Sequence, residues 1–292
     1  MIPLRPRAPK LCRGGIIAAR AAKLHAQLLF SADEVNARPM CLILFAHLYH
    51  PDYPLVVAAN RDEFYERPTR AAHFWSCDPN VLAGVDSRAG GTWLGITRSG
   101  RFAAITNYRE DSAPRTDKQS RGQLTRDFLR TEQAPADYLR RVHRQAADYN
   151  GFNLLLGDGR DLFYYSNREH SITELEPGIY GLSNGLLDSP WPKVTGGKDA
   201  LRAAVDGVPS STGLLEILAD RQTAPECELP DTGVPLEWER QLSPRFIRAG
   251  DYGTRASTAI IVQGREVEFT ERSFSAGPEE EVDTNTYRFA LP

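Results

Sequence analysis

Two uninterrupted apolar runs lie close together in this chain, Cys41-Leu-Ile-Leu-Phe45 and Pro54-Leu-Val-Val-Ala-Ala59. Short apolar runs bounded by turn residues predict buried strands. His50-Pro-Asp-Tyr53 between them supplies Pro and Asp where a hairpin turns, so Cys41–Tyr49 and Pro54–Asn60 are expected to pair. Further short strands are expected at Val81–Val85, Thr92–Thr97 and Arg101–Asn107, punctuated by Gly90-Gly91 and Ser99-Gly100. The period then becomes helical. Ser120-Arg-Gly-Gln123 fits a capping box with Ser120 as N-cap, and Leu124, Phe128 and Leu129 follow at helical spacing. Pro135 opens a second helix at its first turn, continued by Tyr138, Leu139, Val142 and Ala146.

Strands return at Phe152–Gly157, Leu162–Ser166 and Ile179–Asn184. Leu201–Val205 and Leu214–Leu218 read as helix cores. Pro225 to Pro235 reads as a loop, Ala256–Gln263 with Glu266–Phe274 as a late hairpin around Gly264-Arg265, and Gly277–Asn285 as an acidic loop before a short end strand. Hairpin connections predict antiparallel sheets, and runs such as Leu154-Leu-Leu156 predict strands covered on both faces. Two face-to-face sheets with helices outside each satisfy both requirements, an α+β architecture. No repeat or linker divides 41–292, which is expected to form one domain.

Residues 1–40 carry seven basic and two acidic side chains, a net of +5, against −3 for the whole chain; the remainder is therefore at about −8. That acidic body lacks the basic stripe of a nucleic-acid binder, and no stretch approaches the ~20 apolar residues of a membrane helix. Residues 1–39 are rich in Arg and Ala. They are expected to stand outside the domain, as a transit-like segment or as translated sequence ahead of a start at Met40; a short helix over Ile16–Leu29 fits either case. The four cysteines, Cys12, Cys41, Cys77 and Cys227, have neither disulfide-framework nor zinc-site spacing, and a reducing cytoplasm is expected. No metal ligands are expected among the six scattered histidines.

The chemistry turns on Met40-Cys41. An internal Cys in a Leu-Ile-Leu run is ordinarily a small buried hydrophobe. If the mature chain begins at Cys41, thiol and α-amine share one residue, and the amine, with a reference pKa of ~8, can take the thiol proton. The hairpin brings Arg61 and Asp62 back towards Cys41. Arg61 suits a role in lowering the thiol pKa or holding a carboxylate, and Asp62 in orienting the amine. Adjacent strand residues face opposite ways, so both entering one pocket requires a turn. Asn107 and Asn184 each follow a strand and offer amide donors for an oxyanion, and Arg255 is expected at the same sheet end. Asn60, Glu63, Gly90, Gly91, Thr92, Trp93 and Trp191 complete the candidate ligand-contacting set, although Ala89-Gly-Gly-Thr-Trp-Leu-Gly95 lacks the following helix of a phosphate loop.

These residues also carry a resemblance. Met40-Cys41, Ala58-Ala-Asn-Arg-Asp-Glu-Phe-Tyr65, Arg67-Pro-Thr69, Ala89–Gly95, Arg101-Phe-Ala-Ala-Ile-Thr-Asn-Tyr-Arg109 and Ser120-Arg-Gly122 stand in order. Tyr149-Asn-Gly-Phe-Asn-Leu154, Gly181-Leu-Ser-Asn184, Pro190-Trp-Pro-Lys-Val194 and Tyr252-Gly-Thr-Arg255 follow. Over 41–292 the chain resembles the NRDE family, also called the transport and Golgi organisation protein 2 family. The resemblance implies the N-terminal-nucleophile hydrolase fold, a four-layer αββα sandwich. A more distant similarity, to the bile-salt hydrolase and penicillin V acylase group, implies Cys41 as nucleophile with Arg61, Asp62, Asn107, Asn184 and Arg255 around it; that group, unlike this chain, separates its Arg and Asp.

The family resemblance implies a cytoplasmic haem-trafficking or haem-chaperone role, since members are linked to haem mobilisation. In animals they are also linked to lipid and acyl-CoA metabolism and to secretory-pathway organisation. No cofactor is required on this reading, and haem enters as a transient ligand, its propionates suited to Arg61 or Arg255. Two alternatives stay open: an N-terminal-cysteine amidohydrolase or acyltransferase acting through Cys41, and an acyl-CoA or lipid-binding module without chemistry. Each takes a small-molecule partner.

Overall fold

The computed structural model describes residues 40–110, 114–275 and 281–292. Two seven-stranded sheets, antiparallel at every pairing, face each other. The first contains β1 (Met40–His50), β2 (Tyr53–Phe64), β10 (Gly178–Leu182), β12 (Tyr252–Gln263), β13 (Glu266–Phe274) and β14 (Glu281–Ala290) in the order β10-β1-β2-β12-β13-β14, with the short β11 (Arg248–Ala249) on β12. The second runs in simple chain order through β3 (Thr69–Trp75), β4 (Asp78–Asp86), β5 (Leu94–Thr97), β6 (Phe102–Asn107), β7 (Phe152–Gly157), β8 (Leu162–Ser166) and β9 (Ile172–Glu174).

Helices cover both outer faces because the strands are apolar on both sides. Ile43, Phe45, Val57 and Ile260 of the first sheet pack between the sheets against Leu82, Ile96, Phe102 and Leu155 of the second. The alternate residues Leu42, Leu44, Val56 and Ala58 pack outward on α3 (Pro192–Asp206) and α4 (Ser211–Leu218) through Val194, Leu201, Leu214 and Leu218. On the far side, Val81, Ala103, Leu154 and Leu156 meet Leu124, Phe128, Tyr138 and Leu139 of α1 (Gly122–Leu129) and α2 (Pro135–Arg144). The fold is therefore an α+β, four-layer αββα sandwich. A fifth helix, α5 (Leu236–Gln241), closes over Met40 at one end.

Several local expectations change. β2 does not stop at Asn60 but runs to Phe64, because β1 and β12 both continue the ladder, pairing Asp62 with Met40 on one side and Thr254 on the other. Ser120 is not the N-cap of α1. Arg121 takes that place without a side-chain cap, and Ser120 instead offers its carbonyl to Gln123 N at 3.2 Å. The acidic loop expected over 277–285 is strand from residue 281, held by β13. β3 and α5 were not anticipated from the apolar pattern. The helix expected over Ile16–Leu29 lies outside the described residues.

Candidate functional site

At the end of the sandwich where β1 begins, the two sheets separate around a cavity of about 930 Å³. Cys41, Arg61, Glu63, Arg255 and Glu271 line it from the first sheet; Thr69, Asp86, Thr92, Trp93, Asn107 and Arg121 line it from the second sheet and its connections. Asn107, Asn184 and Cys41 are joined through the backbone. The Cys41 N–H donates to Asn184 Oδ1 at 3.2 Å, Asn184 Nδ2 donates to the Asn107 carbonyl at 2.8 Å, and Ser183 Oγ donates to the Cys41 carbonyl at 2.9 Å. This links the start of β1 to the ends of β6 and β10.

Ladder register decides which groups share a compartment. Cys41 is opposite Arg61, so both side chains lie on the face between the sheets. Arg61 is held by Glu63 at 3.4 Å, while Arg67 bridges Glu63 and Asp86 at 3.5 and 2.7 Å. Burial, followed by the Asp62 charge, pushes the Cys41 thiol up to about 12, despite the opposing pull of Arg61 and the Asp62 N–H. With Met40 in place the thiol is therefore protonated near neutrality and has no adjacent amine to deprotonate it.

Asp62 borders the cavity through the strand end, but its carboxylate is on the helix-facing side with Met40. No turn brings it round to join Arg61. Thr254 Oγ1 donates to Asp62 Oδ1 at 2.6 Å, and Asp62 Oδ2 is buried with no hydrogen-bond partner among the described residues. The nearby cation is Lys193 near the start of α3, whose Nζ donates to the Leu242 carbonyl at 3.1 Å. Burial raises Asp62 to about 6, against the pull of Lys193, and burial lowers Lys193 to about 8. Met40 fills the rest of this compartment. Its N–H donates to Tyr252 Oη at 2.6 Å, its Sδ accepts from Arg109 Nη2 at 2.6 Å, and its side chain packs on Leu242, Ile247 and Tyr252.

The remaining candidates divide cleanly. Glu63, Gly91, Thr92, Trp93 and Arg255 line the cavity; Asn60, Gly90 and Trp191 do not. Asn60 donates to the carbonyls of Leu218 and Arg245 and accepts from Ser257 Oγ, which ties β2 to α4 and β12. Trp191 stacks under Arg109 at 5.0 Å, next to the buried Arg109–Glu239 pair at 2.8 Å. Arg255 Nη1 donates to the carbonyls of Phe64, Tyr65 and Arg67 and so fixes the exit of β2. Sequence reasoning did not select Lys193, Arg121, Thr254 or Tyr252 as site residues. Lys193 and Arg121 each lie inside a matched segment, Pro190–Val194 and Ser120–Gly122, and a basic residue there was the available signal. Among the described residues no cluster of His, Cys, Asp and Glu has the makings of a metal centre, and no helix is long and apolar enough to cross a membrane.

Comparison with known proteins follows the same residues. The family described as Transport and Golgi organisation 2 matches residues 40–276. The Transport and Golgi organization protein 2 homolog of Bos taurus is 38% identical over 276 residues, covering 86% of this chain and 99% of that protein. The Homo sapiens homolog is 38% identical over 278 residues with the same coverage. Transport and Golgi organization protein 2 of Drosophila melanogaster is 30% identical over 251 residues, 76% of this chain and 88% of that one. Among solved structures, the Caenorhabditis elegans N-acylethanolamine-hydrolyzing acid amidase ortholog aligns with a TM-score of 0.43 at 10% identity, covering 76% of this chain and 92% of that chain. A likeness that distant bears on neither chemistry nor substrate. The family match and the 38% relatives agree over most of the chain, which belongs to the Transport and Golgi organisation 2 family.

Proposed function

We propose that the protein, once its chain begins at Cys41, is an N-terminal-cysteine hydrolase or acyltransferase of amides or thioesters. The observation that carries this reading is the position of Cys41: backbone nitrogen on Asn184 Oδ1 and side chain on the cavity wall opposite Arg61. Removal of Met40 turns that nitrogen into an amine. Asn184 keeps one of its protons, and the orphaned Asp62 Oδ2, on the vacated side, becomes an acceptor for another. The amine takes the Cys41 thiol proton, and Arg61 favours the thiolate. Sulfur attacks the carbonyl, and the oxyanion takes a hydrogen bond from Asn107 on the cavity wall. Collapse expels the amine or thiol, which leaves with the proton from the ammonium. Water or an acceptor amine then cleaves the thioester to Cys41. A thiol nucleophile fits a reducing, cytoplasmic setting.

Intact mass of the native protein and turnover against acyl-amide and acyl-thioester libraries test this reading. The expected result is a chain starting at Cys41, with turnover abolished in Cys41→Ser and blocked by any retained N-terminal extension. Turnover that Cys41→Ser leaves unchanged removes the mechanism.

The haem-trafficking reading rests on another observation, the guanidinium-rich wall formed by Arg61, Arg67, Arg121 and Arg255, which suits two propionates. Among the described residues no histidine lines the cavity, leaving Cys41 sulfur and the Tyr65 hydroxyl as the iron ligands this reading offers. A saturable absorbance change on haem titration, lost in Cys41→Ala or in Tyr65→Phe, together with faster delivery to an apo-acceptor, is its expected signature; the absence of both the absorbance change and the faster delivery removes it.

A further inference from the structure

Most of the arginines around Cys41 are engaged. Arg61 is paired with Glu63 at 3.4 Å, Arg67 with Asp86 at 2.7 Å, and Arg255 caps three carbonyls. Arg121 differs. Its Nη1 donates to the Gly151 carbonyl at 2.9 Å, and among the described residues no acidic side chain forms an ion pair with it. It stands on the wall opposite Cys41, since it begins α1 outside the second sheet, whereas Cys41 belongs to the first.

Its backbone is placed by a close approach between two turns. Thr92 N–H donates to the Gly122 carbonyl at 3.1 Å, and a Cβ on Gly91 would lie 2.5 Å from the Gly122 carbonyl carbon. The Gly-Gly-Thr segment is therefore no phosphate loop. Its bare backbone lets the start of α1 press in, with Arg121 at the cavity. Burial pulls the guanidinium down to about 10, and a thiolate at Cys41 would oppose this. A half-buried cation with no ion-pair partner among the described residues is costly to hold, and an anion entering the cavity would relieve that cost.

We propose that Arg121 is the specificity-determining residue of this cavity, its planar guanidinium holding a carboxylate or similar oxyanion that the substrate carries within a few bonds of the carbonyl attacked by Cys41. The inference rests on Cys41 as nucleophile and adds the class of acyl compound: one with negative charge close to the reacting carbon. Arg offers two parallel N–H donors to such a group, which Lys does not.

Alkylation by iodoacetate and iodoacetamide tests it, on protein whose chain is first verified by intact mass to begin at Cys41. In both reactions the Sγ–C bond forms, iodide leaves and the thiol proton passes to solvent; the reagents differ in the carboxylate. Peptide mapping gives a rate at each cysteine, with exposed Cys77 as internal control. The iodoacetate to iodoacetamide rate ratio is expected to be about tenfold higher at Cys41 than at Cys77, the size of one charge-assisted contact. Arg121→Gln is expected to erase that excess and leave Cys77 unchanged. Should the glutamine variant not fold, Arg121→Lys is read instead, with a ratio about threefold below wild type expected from loss of the fork. A Cys41 that reacts without charge preference, or keeps its preference in the variant, overturns the role of Arg121 and leaves the nucleophile intact. A Cys41 that neither reagent modifies while Cys77 is consumed overturns both.

Discussion

Strands β1 and β2 carry two chemistries on one face. Towards the hairpin, Ile43, Phe45 and Val57 face the second sheet and close the space with hydrocarbon; Phe45 stacks on Tyr180 with ring centroids 5.3 Å apart. Towards the other end, Cys41, Arg61 and Glu63 take the same face and the space opens. The ladder is continuous across the change, so backbone hydrogen bonding does not distinguish the ends. The difference is energetic. One end stabilises the fold by burial of apolar surface. The other buries ionised groups that must be held by one another, as in Arg61–Glu63–Arg67–Asp86, or by backbone, as where Glu271 Oε1 accepts the Ala72 N–H across the sheets at 2.6 Å. Apolar burial is concentrated at one end of the ladder and ionisable groups around Cys41 at the other.

Phe45→Ala should break the comparison most severely, costing about 3–5 kcal/mol in unfolding by urea through lost burial and a residual void. A loss under ~1 kcal/mol would mean that the apolar end does not carry the fold. The polar end should answer to pH instead. Asp62 in the fold is raised above its ordinary 3.8 to about 6, so its ionisation works against folding. The contribution of this group is thus most favourable below pH 4 and declines as pH rises through 6. Lys193→Met should cost about 2–3 kcal/mol at pH 7 by leaving that carboxylate without its facing cation, and much less at pH 5. In Asp62→Asn the decline between pH 4 and 6 should disappear; unfolding free energies measured across that range check both. The smallest expected effect is Thr254→Val, about 1 kcal/mol at pH 7, from loss of the 2.6 Å bond to Asp62. Equal losses at pH 5 and 7 would show that the hydroxyl serves packing alone.

The layers were legible because apolar strands covered on both faces need two partners, and Leu154-Leu-Leu156 or Cys41–Phe45 can be read for that requirement without coordinates. The site was legible only in part. Asn60 looked like a strand terminus because the apolar run ends at Ala59. The strand continues because Ser257 and Thr254, nearly 200 residues on, satisfy Asn60 and Asp62, and no local pattern announces a distant hydroxyl. The same distance hid Lys193, which nears Asp62 only when α3 docks on the outer face. Arg121 was hidden by its capping-box neighbourhood, which drew attention to Ser120. Of β14 only residues 281–285 were missed, among acidic side chains; the end strand beyond them was anticipated, with Tyr287 and Phe289 packed on the core between the sheets and Thr286 and Arg288 on the opposite face, bonded to Thr270 and Glu268.

The irregular pairing between His47 and His50, at the far tip of the first hairpin, has a consequence for the opposite end. Because charges of opposite sign occupy successive residues 61 and 62, their assignment to inner and outer layers is a matter of parity, counted from that tip. Gaining or losing one residue in β2 beyond the tip, without a compensating bulge, would deliver the carboxylate to the cavity between the sheets and the guanidinium to the hydrocarbon beneath the helices. A lesion some thirty ångströms from the sulfur, at about 3.4 Å per residue, would thereby put Asp62 on the cavity wall in place of Arg61 and Glu63 without substituting any of the three.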